Sequence, residues 1–185
     1  MGGISTEHYR PGTVPAAELR ELTAMFEEVA GEFVPPLTER RDTTQADLTG
    51  GAGGGGAGDY LQEMLRQDLI LCRNEGQAVG FLSYRADHVD QRYPELCPCL
   101  YVSTVAVRHE HRRFGIARAL YQALFDLPPS AAPWVVLRTW STNTGHLRLL
   151  DSLGFRSVLR IPDDREPGVD TLYLATDRSK QPAAR

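Results

Sequence analysis

The run "CLYVSTVAV" (99 to 107) is the most strand-like stretch of the chain, dense in β-branched residues. It passes through "RHEHRRF" into a glycine and then the apolar-periodic "IARALYQALF". A strand feeding a helix through a small-residue break calls for a helical crossover, and a second one follows: the strand "WVVLRTW" (134 to 140) leads into a helix from about Asn143 to Leu153, capped by Gly154. Other strands are joined as hairpins. "LILCRNEGQAVGFLSYR" reads as two strands about a turn at Asn74-Glu75-Gly76, and strands near 155 to 160 and 169 to 175 close the chain. Upstream, "AAELRELTAMFEEVA" puts Leu19, Leu22, Phe26 and Val29 at helical spacing, with Pro35-Pro36 stopping the helix. "DYLQEMLRQ" reads as a short helix, Ile4 to Tyr9 as a weakly patterned strand, and residues 86 to 98 as a polar loop. The order βααβββαβαββ predicts an α/β (α+β) fold, in which a mixed, mostly antiparallel central sheet is flanked by about four helices.

A chain of 185 residues suits one such domain, expected over residues 1 to 178, with a disordered tail at 179 to 185. From Gly50 to Gly58, "GGAGGGGAG" has almost nothing to bury and reads as a flexible loop. It contains G-x-G-x-x-G at Gly51, Gly53 and Gly56, but "TTQADLTG" before it is not the strand a dinucleotide fold requires. No apolar run approaches the ~20 residues of a membrane span, so no membrane association is expected. The start lacks the features of a secretory signal, and "MGGIST" matches a myristoylation pattern short enough to arise by chance. Three cysteines, Cys72, Cys97 and Cys99, fit a reducing, cytoplasmic setting. Cys97-Pro98-Cys99 has the wrong spacing for a metal site and no second ligand cluster, so no metal is expected. A single lysine, Lys180, amid many arginines, with abundant Ala, Gly, Leu and Pro, points to a GC-rich bacterial genome. The net charge of −4 argues against nucleic-acid binding, which needs a cationic surface, and leaves cationic acceptors open.

The break between strand and helix is where chemistry is expected. In Arg112-Arg113-Phe114-Gly115-Ile116-Ala117 the first helical N–H groups lack intrahelical partners and point ahead of the helix. Gly115 removes a Cβ from the path of an anion, Ala117 keeps the helix start small, and the arginines add charge-assisted hydrogen bonds. The Gly-Lys-Ser/Thr ending of a nucleoside-triphosphate loop is missing, which favours a diphosphate held mainly by backbone. A merely solvated helix entry is the alternative reading of the two arginines.

These residues resemble the GCN5-related N-acetyltransferases, the GNAT superfamily. Its signature [RQ]-x-x-G-x-[GA] matches Arg112-x-x-Gly115-x-Ala117 after a strand ending in Val105-Ala106-Val107, and "NTGHLRLLDSLGF" resembles its second segment, an Asn opening a helix that ends in Leu-Gly-Phe. The resemblance covers about residues 70 to 175. It implies an enzyme that moves an acetyl group from acetyl-CoA to a primary amine, on a small molecule or a peptide, by direct transfer in a ternary complex. The cofactor-binding residues it implies are Val105, Ala106, Val107, Arg112, Arg113, Phe114, Gly115, Ile116, Ala117, Arg118 and Asn143. Pyrophosphate would sit on the N–H groups of residues 113 to 118, and the pantetheine arm would pair with the edge of strand 99 to 107 near Val105 and Val107. Strands 99 to 107 and 134 to 140 would splay to form the acyl-CoA groove, with a backbone N–H at about Val105 polarising the thioester carbonyl. Asn143 reads equally as a helix N-cap.

The chain departs from the family where many relatives carry a tyrosine that protonates the leaving thiolate, a position that here is Leu150. His146, one helical turn earlier, shares its face and is the candidate catalytic residue, expected near its unperturbed pKa. Relatives often place a basic carboxylate on the strand that here carries Ser103 and Thr104, neither of which is a base unaided. Glu27, Glu28, Glu32, Asp87, His88 and Glu95 read as solvated groups, so no general base is assigned. The other reading is an acyl-CoA-binding or regulatory protein that turns over weakly or not at all. The acceptor surface is expected in residues 31 to 60 and 86 to 98, and a homodimer is left open.

Overall fold

The computed structural model describes residues 3–34, 36–37, 57–128 and 131–181. In chain order they form β1 (Ile4–Tyr9), α1 (Ala16–Val29), α2 (Ala57–Leu65), β2 (Asp68–Asn74), β3 (Gln77–His88), β4 (Cys99–Val107), α3 (Ile116–Phe125), β5 (Trp134–Trp140), α4 (Thr144–Ser152), β6 (Arg156–Glu166) and β7 (Val169–Asp177). The strands make a seven-stranded sheet in the order β1-β2-β3-β4-β5-β7-β6. β4 and β5 run parallel with Leu100 opposite Val135 and Val102 opposite Leu137, while β1 and β2, β2 and β3, β5 and β7, and β6 and β7 pair antiparallel. This is the mostly antiparallel α/β domain with four helices that the element order predicts. Among the described residues, one compact unit takes in 3–34, 36–37, 57–84 and 103–124, and a second takes in 85–102 and 125–181.

In the first unit the apolar stripe of α1 is Leu22, Met25, Phe26 and Val29, at the spacing a helix needs to bury one face. It packs with Tyr60, Leu61 and Met64 of α2 and with Leu69, Leu71, Phe81 and Ala106 of the strands. Phe26 and Tyr60 stack with ring centroids 5.8 Å apart. The β2–β3 hairpin turns through Glu75 (φ 52°) and Gly76 (φ 83°), the left-handed pair that a two-residue turn demands, as the sequence predicts. α1 ends at Val29, and a 3-10 turn, Ala30–Glu32, follows it. The glycine run lies outside the described residues except for Ala57 and Gly58, which open α2 and so are helix where a loop was expected.

The second unit has its own core of Tyr93, Leu96, Cys99, Tyr101, Val136, Tyr173 and Ala175. Two residues of it, Tyr93 and Leu96, fall in the stretch 86 to 98 expected to be a polar loop, and β3 extends through His88, so that stretch is largely structured. Leu153-Gly154-Phe155 ends α4 as a Schellman motif. The N–H of Phe155 bonds the carbonyl of Leu150 at 3.0 Å, that of Gly154 bonds Asp151 at 3.0 Å, and Gly154 has φ 76°. The chain end is tied down as well. Arg178 is buried and donates to the carbonyls of Phe125, Leu127, Pro128, Ala131 and Ala132 at 2.6–3.2 Å. Gln181 donates to Leu153 O and Thr176 Oγ1, both at 2.9 Å, and residues 182–185 lie outside the described set.

One contact in the first unit seats α3. A Cβ on Gly80 of β3 would lie 2.8 Å from Ile116 Cγ2, 3.0 Å from the Ala106 carbonyl oxygen and 3.4 Å from Leu120 Cδ1. Replacing a strand glycine by alanine gains ~0.5–1 kcal/mol by restricting the unfolded chain, whereas overpacking against backbone costs ~1–3 kcal/mol. The second effect should win. Gly80→Ala is expected to lower the urea midpoint with an unchanged slope, and a raised midpoint would contradict the close packing of α3 on β3.

Candidate functional site

β4 divides its residues unequally. Thr104 and Ala106 are buried, whereas Ser103, Val105 and Val107 are half-buried. Thr104 Oγ1 lies 2.8 Å from the Tyr60 hydroxyl of α2, and Ser103 Oγ donates to Gln67 Oε1, just beyond α2, at 2.5 Å. Successive strand residues ordinarily point to opposite faces. The burial of β4 alternates accordingly from Ser103 to Val107.

Beyond β4 the chain is pinned to the end of α1. Arg108 donates from Nε to Ala78 O at 3.1 Å and from Nη1 to Glu28 Oε2 at 3.1 Å. The His109 N–H donates to Glu28 Oε1 at 2.9 Å, and its ring contacts both Glu28 and Glu32. Arg112 donates to Val107 O at 3.1 Å and pairs with Glu32 at 2.8 Å. Glu28 and Glu32 are thus held in ion pairs rather than solvated, and Arg112 braces the loop through its own carboxylate partner. Burial acts to raise the Glu32 pKa, but hydrogen bonds from His109 and Arg112 outweigh it and hold this carboxyl below its ordinary range.

The loop then turns twice through left-handed backbone, at Arg113 (φ 69°) and Gly115 (φ 82°). A Cβ on Gly115 would meet no atom within 4 Å, so the glycine is required by its dihedral and leaves its face open. Arg113 adopts the same conformation without that freedom, a strain of ~1–3 kcal/mol of the kind that clusters at functional sites. The helix ladder begins with Ala119 N–H to Gly115 O at 2.9 Å, so the N–H groups of residues 116, 117 and 118 precede it. Ile116 is buried, Ala117 half-buried and Arg118 exposed, and Phe114 is 70% exposed. In one continuous segment the structure therefore brings together Val105, Ala106, Val107, Arg112, Arg113, Phe114, Gly115, Ile116, Ala117 and Arg118.

Asn143 and His146 belong to the second unit. Asn143 occupies the N-cap position of α4, but its side chain makes no capping bond and donates instead to Thr139 Oγ1 at 3.2 Å. His146 is half-buried, and burial of its imidazole lowers the pKa to about 4, not the unperturbed value expected. The ring is neutral at pH 7. Leu150, the tyrosine position of many relatives, is fully buried. His88 is packed against Tyr101, centroids 4.6 Å apart, and burial lowers its pKa too, so it is not a solvated group. Among the described residues no group of three or more His, Cys, Asp or Glu is placed to hold a metal ion, and no helix is long and apolar enough to cross a membrane. Sequence reasoning missed Gly80 and Gln67. An isolated glycine in a strand pattern is itself a sign of close approach, but nothing marked Gln67.

A strand running through a braced loop into a helix N-terminus sits in an α/β fold that known acetyltransferases share. The family described as "Acetyltransferase (GNAT) family" matches residues 24–155, and the chain belongs to it. Solved structures with similar folds include a ribosomal-protein-alanine N-acetyltransferase from Brucella melitensis (18% identity, 94% of this chain and 99% of that one, TM-score 0.64). An N-acetyltransferase from Staphylococcus aureus covers the same shares at 10% identity and TM-score 0.62. A Salmonella typhimurium protein solved with its cofactor acetyl-CoA covers 98% of each chain at 15% identity and TM-score 0.61. No curated protein matches the sequence significantly.

Deprotonated Glu32 is favoured in the folded chain, so its contribution to stability is full above the ordinary glutamate pKa and fades as pH falls through the lowered one. Glu32→Gln should therefore melt below the wild type at pH 7, and the difference should shrink towards pH 3. A constant difference would show that the hydrogen bonds from His109 and Arg112 are not its source.

Proposed function

We propose that this chain transfers an acetyl group from acetyl-CoA to a primary amine, by direct attack in a ternary complex. The observation that carries this reading is the left-handed turn at Arg113 and Gly115, which sets the N–H groups of residues 116 to 118 ahead of the helix ladder in a member of the GNAT family. Pyrophosphate binds the N–H groups of residues 113 to 118, with Arg113 and Arg118 supplying charge and Arg112 bracing the loop. The pantetheine arm pairs with the main chain at Val105 and Val107, and the Val105 N–H faces the thioester carbonyl, a preorganised donor of the kind worth ~3 kcal/mol. Asn143, with no capping bond, contacts the cofactor. His146 acts as a neutral hydrogen-bonding group. Acetyl-CoA supplies an activated acyl group on a good leaving thiol, which lets positioning carry most of the acceleration.

The acceptor is an amine on a small molecule or a peptide; the Brucella protein is named for an alanine of a ribosomal protein, which makes alanyl peptides a first choice for assay. We place the protein in a bacterial cytoplasm, with residues 1 to 178 as the catalytic domain. One observation favours a second reading, an acyl-CoA-binding protein with little turnover: Leu150 is fully buried and bonded into the Schellman motif, so no acid stands where many relatives have one.

Gly115→Asp adds a Cβ at φ 82° and a negative charge beside the proposed phosphates. It should weaken coenzyme A binding by at least a hundredfold in calorimetry on a folded variant, since both changes oppose an anion. Unchanged affinity would remove the cofactor site from this helix. His146→Ala should lower the acyl-transfer rate roughly tenfold with little change in melting temperature. Because the ring is already neutral, wild type and variant should share the same pH profile between pH 6 and 8. Wild-type turnover in the variant would make the histidine a bystander.

A further inference from the structure

Strand β4 carries a polar group whose hydrogen-bond direction is fixed from behind. Ser83 is fully buried, Gln67 is 5% exposed and Ser103 is half-buried, and the Ser103 side chain touches both of the others. Ser103 Oγ lies 2.5 Å from Gln67 Oε1, 2.9 Å from Ser83 Oγ and 3.2 Å from Ser83 O. The amide orientation of Gln67 follows from its Nε2, which donates to Glu63 O at 3.4 Å. Gln67 Oε1 can only accept, so the single hydroxyl proton of Ser103 goes to it along the shortest bond. The 2.9 Å contact then has to be Ser83 donating to Ser103. Ser103 Oγ has given its proton and taken one hydrogen bond, which leaves it a second lone pair on a residue that is only half-buried.

On the proposed acetyl-transfer reading, the Val105 N–H marks the thioester carbonyl, and Ser103 lies two residues away on the same strand. From this we infer that Ser103 is an acceptor-binding residue: its hydroxyl oxygen accepts a hydrogen bond from the attacking amine and orients the nitrogen lone pair on the acyl carbon. Gln67 and Ser83 are positioning residues, which keep the Ser103 proton turned away so that the oxygen faces the amine as an acceptor only. The transfer balances without a proton on serine. The amine nitrogen bonds to the acetyl carbon, the carbon–sulfur bond breaks with its electron pair going to sulfur, and the amine proton passes to the thiolate or to water. A serine hydroxyl is no base, and here it is used for direction alone. The same polarity selects against acceptors that present only oxygen lone pairs.

The test uses the full chain with an alanyl peptide, a linear polyamine and 2-phenylethylamine as acceptors, and calorimetry with coenzyme A. Ser103→Ala and Gln67→Leu should each lower kcat/KM for the amines about tenfold, the loss of one directed hydrogen bond, with KM rising for the amine and unchanged for acetyl-CoA. Ser103→Thr, which keeps the hydroxyl, should recover most of the activity. If Ser103→Ala binds coenzyme A normally and turns over like the wild type, or if Gln67→Leu does so, this inference is wrong while the acetyl-transfer reading stands. If the Ser103→Ala loss lies wholly in the KM for acetyl-CoA, Ser103 supports the cofactor and not the acceptor, which also overturns the inference. A wild type that binds no coenzyme A, or that acetylates none of the three amines, overturns the acetyl-transfer reading and this inference together.

Discussion

The backbone of β4 is the constraint on which the first unit depends. The same strand has to pair within the sheet, bury Thr104 and Ala106, and leave Ser103, Val105 and Val107 half-open. Burial alternates from Ser103 to Val107, and the hydroxyls of Ser103 and Thr104 reach Gln67 and Tyr60 at 2.5 and 2.8 Å. Thr104 is buried, and without the Tyr60 hydroxyl its own would be left unpaired at a cost of ~1–3 kcal/mol.

Two kinds of force then share the work, and their magnitudes separate the roles. Each large side chain in the core around Phe26, Tyr60 and Phe81 contributes ~1.5–3 kcal/mol by burial, against ~0–1 kcal/mol for an exposed ion pair. The core and the Gly80 contact therefore fix where α3 lies. The pairs joining Glu28 and Glu32 to Arg108, His109 and Arg112 add little stability but act on the few residues between strand and helix. Their effect is to aim the loop into its left-handed turns at Arg113 and Gly115, which lie beyond the last of these braces.

What could be read in the sequence was local. The strand at 99 to 107, the glycine before α3, the Asn-Glu-Gly turn and the Leu-Gly-Phe helix end each announce themselves within a few residues, because turn dihedrals and helix caps depend on neighbours in sequence. Partners distant in sequence were not legible. Arg178 is held by carbonyls some fifty positions earlier, and so looked like the edge of a tail. Glu28 and Glu32 meet their cations about eighty positions later and looked solvated. Tyr93 and Leu96 sit among polar residues, and only the fold shows that they enter a core. Of the candidate site, the backbone cradle was legible and the side chains that brace it were not.

The polar side chains on and around β4 share a property that bears on mechanism. Serine, threonine and glutamine do not titrate, and in the second unit the His146 imidazole is neutral, with a pKa of about 4. None of these groups changes protonation near pH 7, as general acid–base catalysis would require of it. Such catalysis supplies typically ~10²–10⁴-fold, whereas holding two reactants in attack geometry is worth up to ~7–11 kcal/mol. An acyl thioester already carries a good leaving group, so positioning, the stronger of the two effects, suffices. On the proposed reading the Val105 N–H and the Ser103 oxygen fix direction, and the buried Leu150 offers no acid.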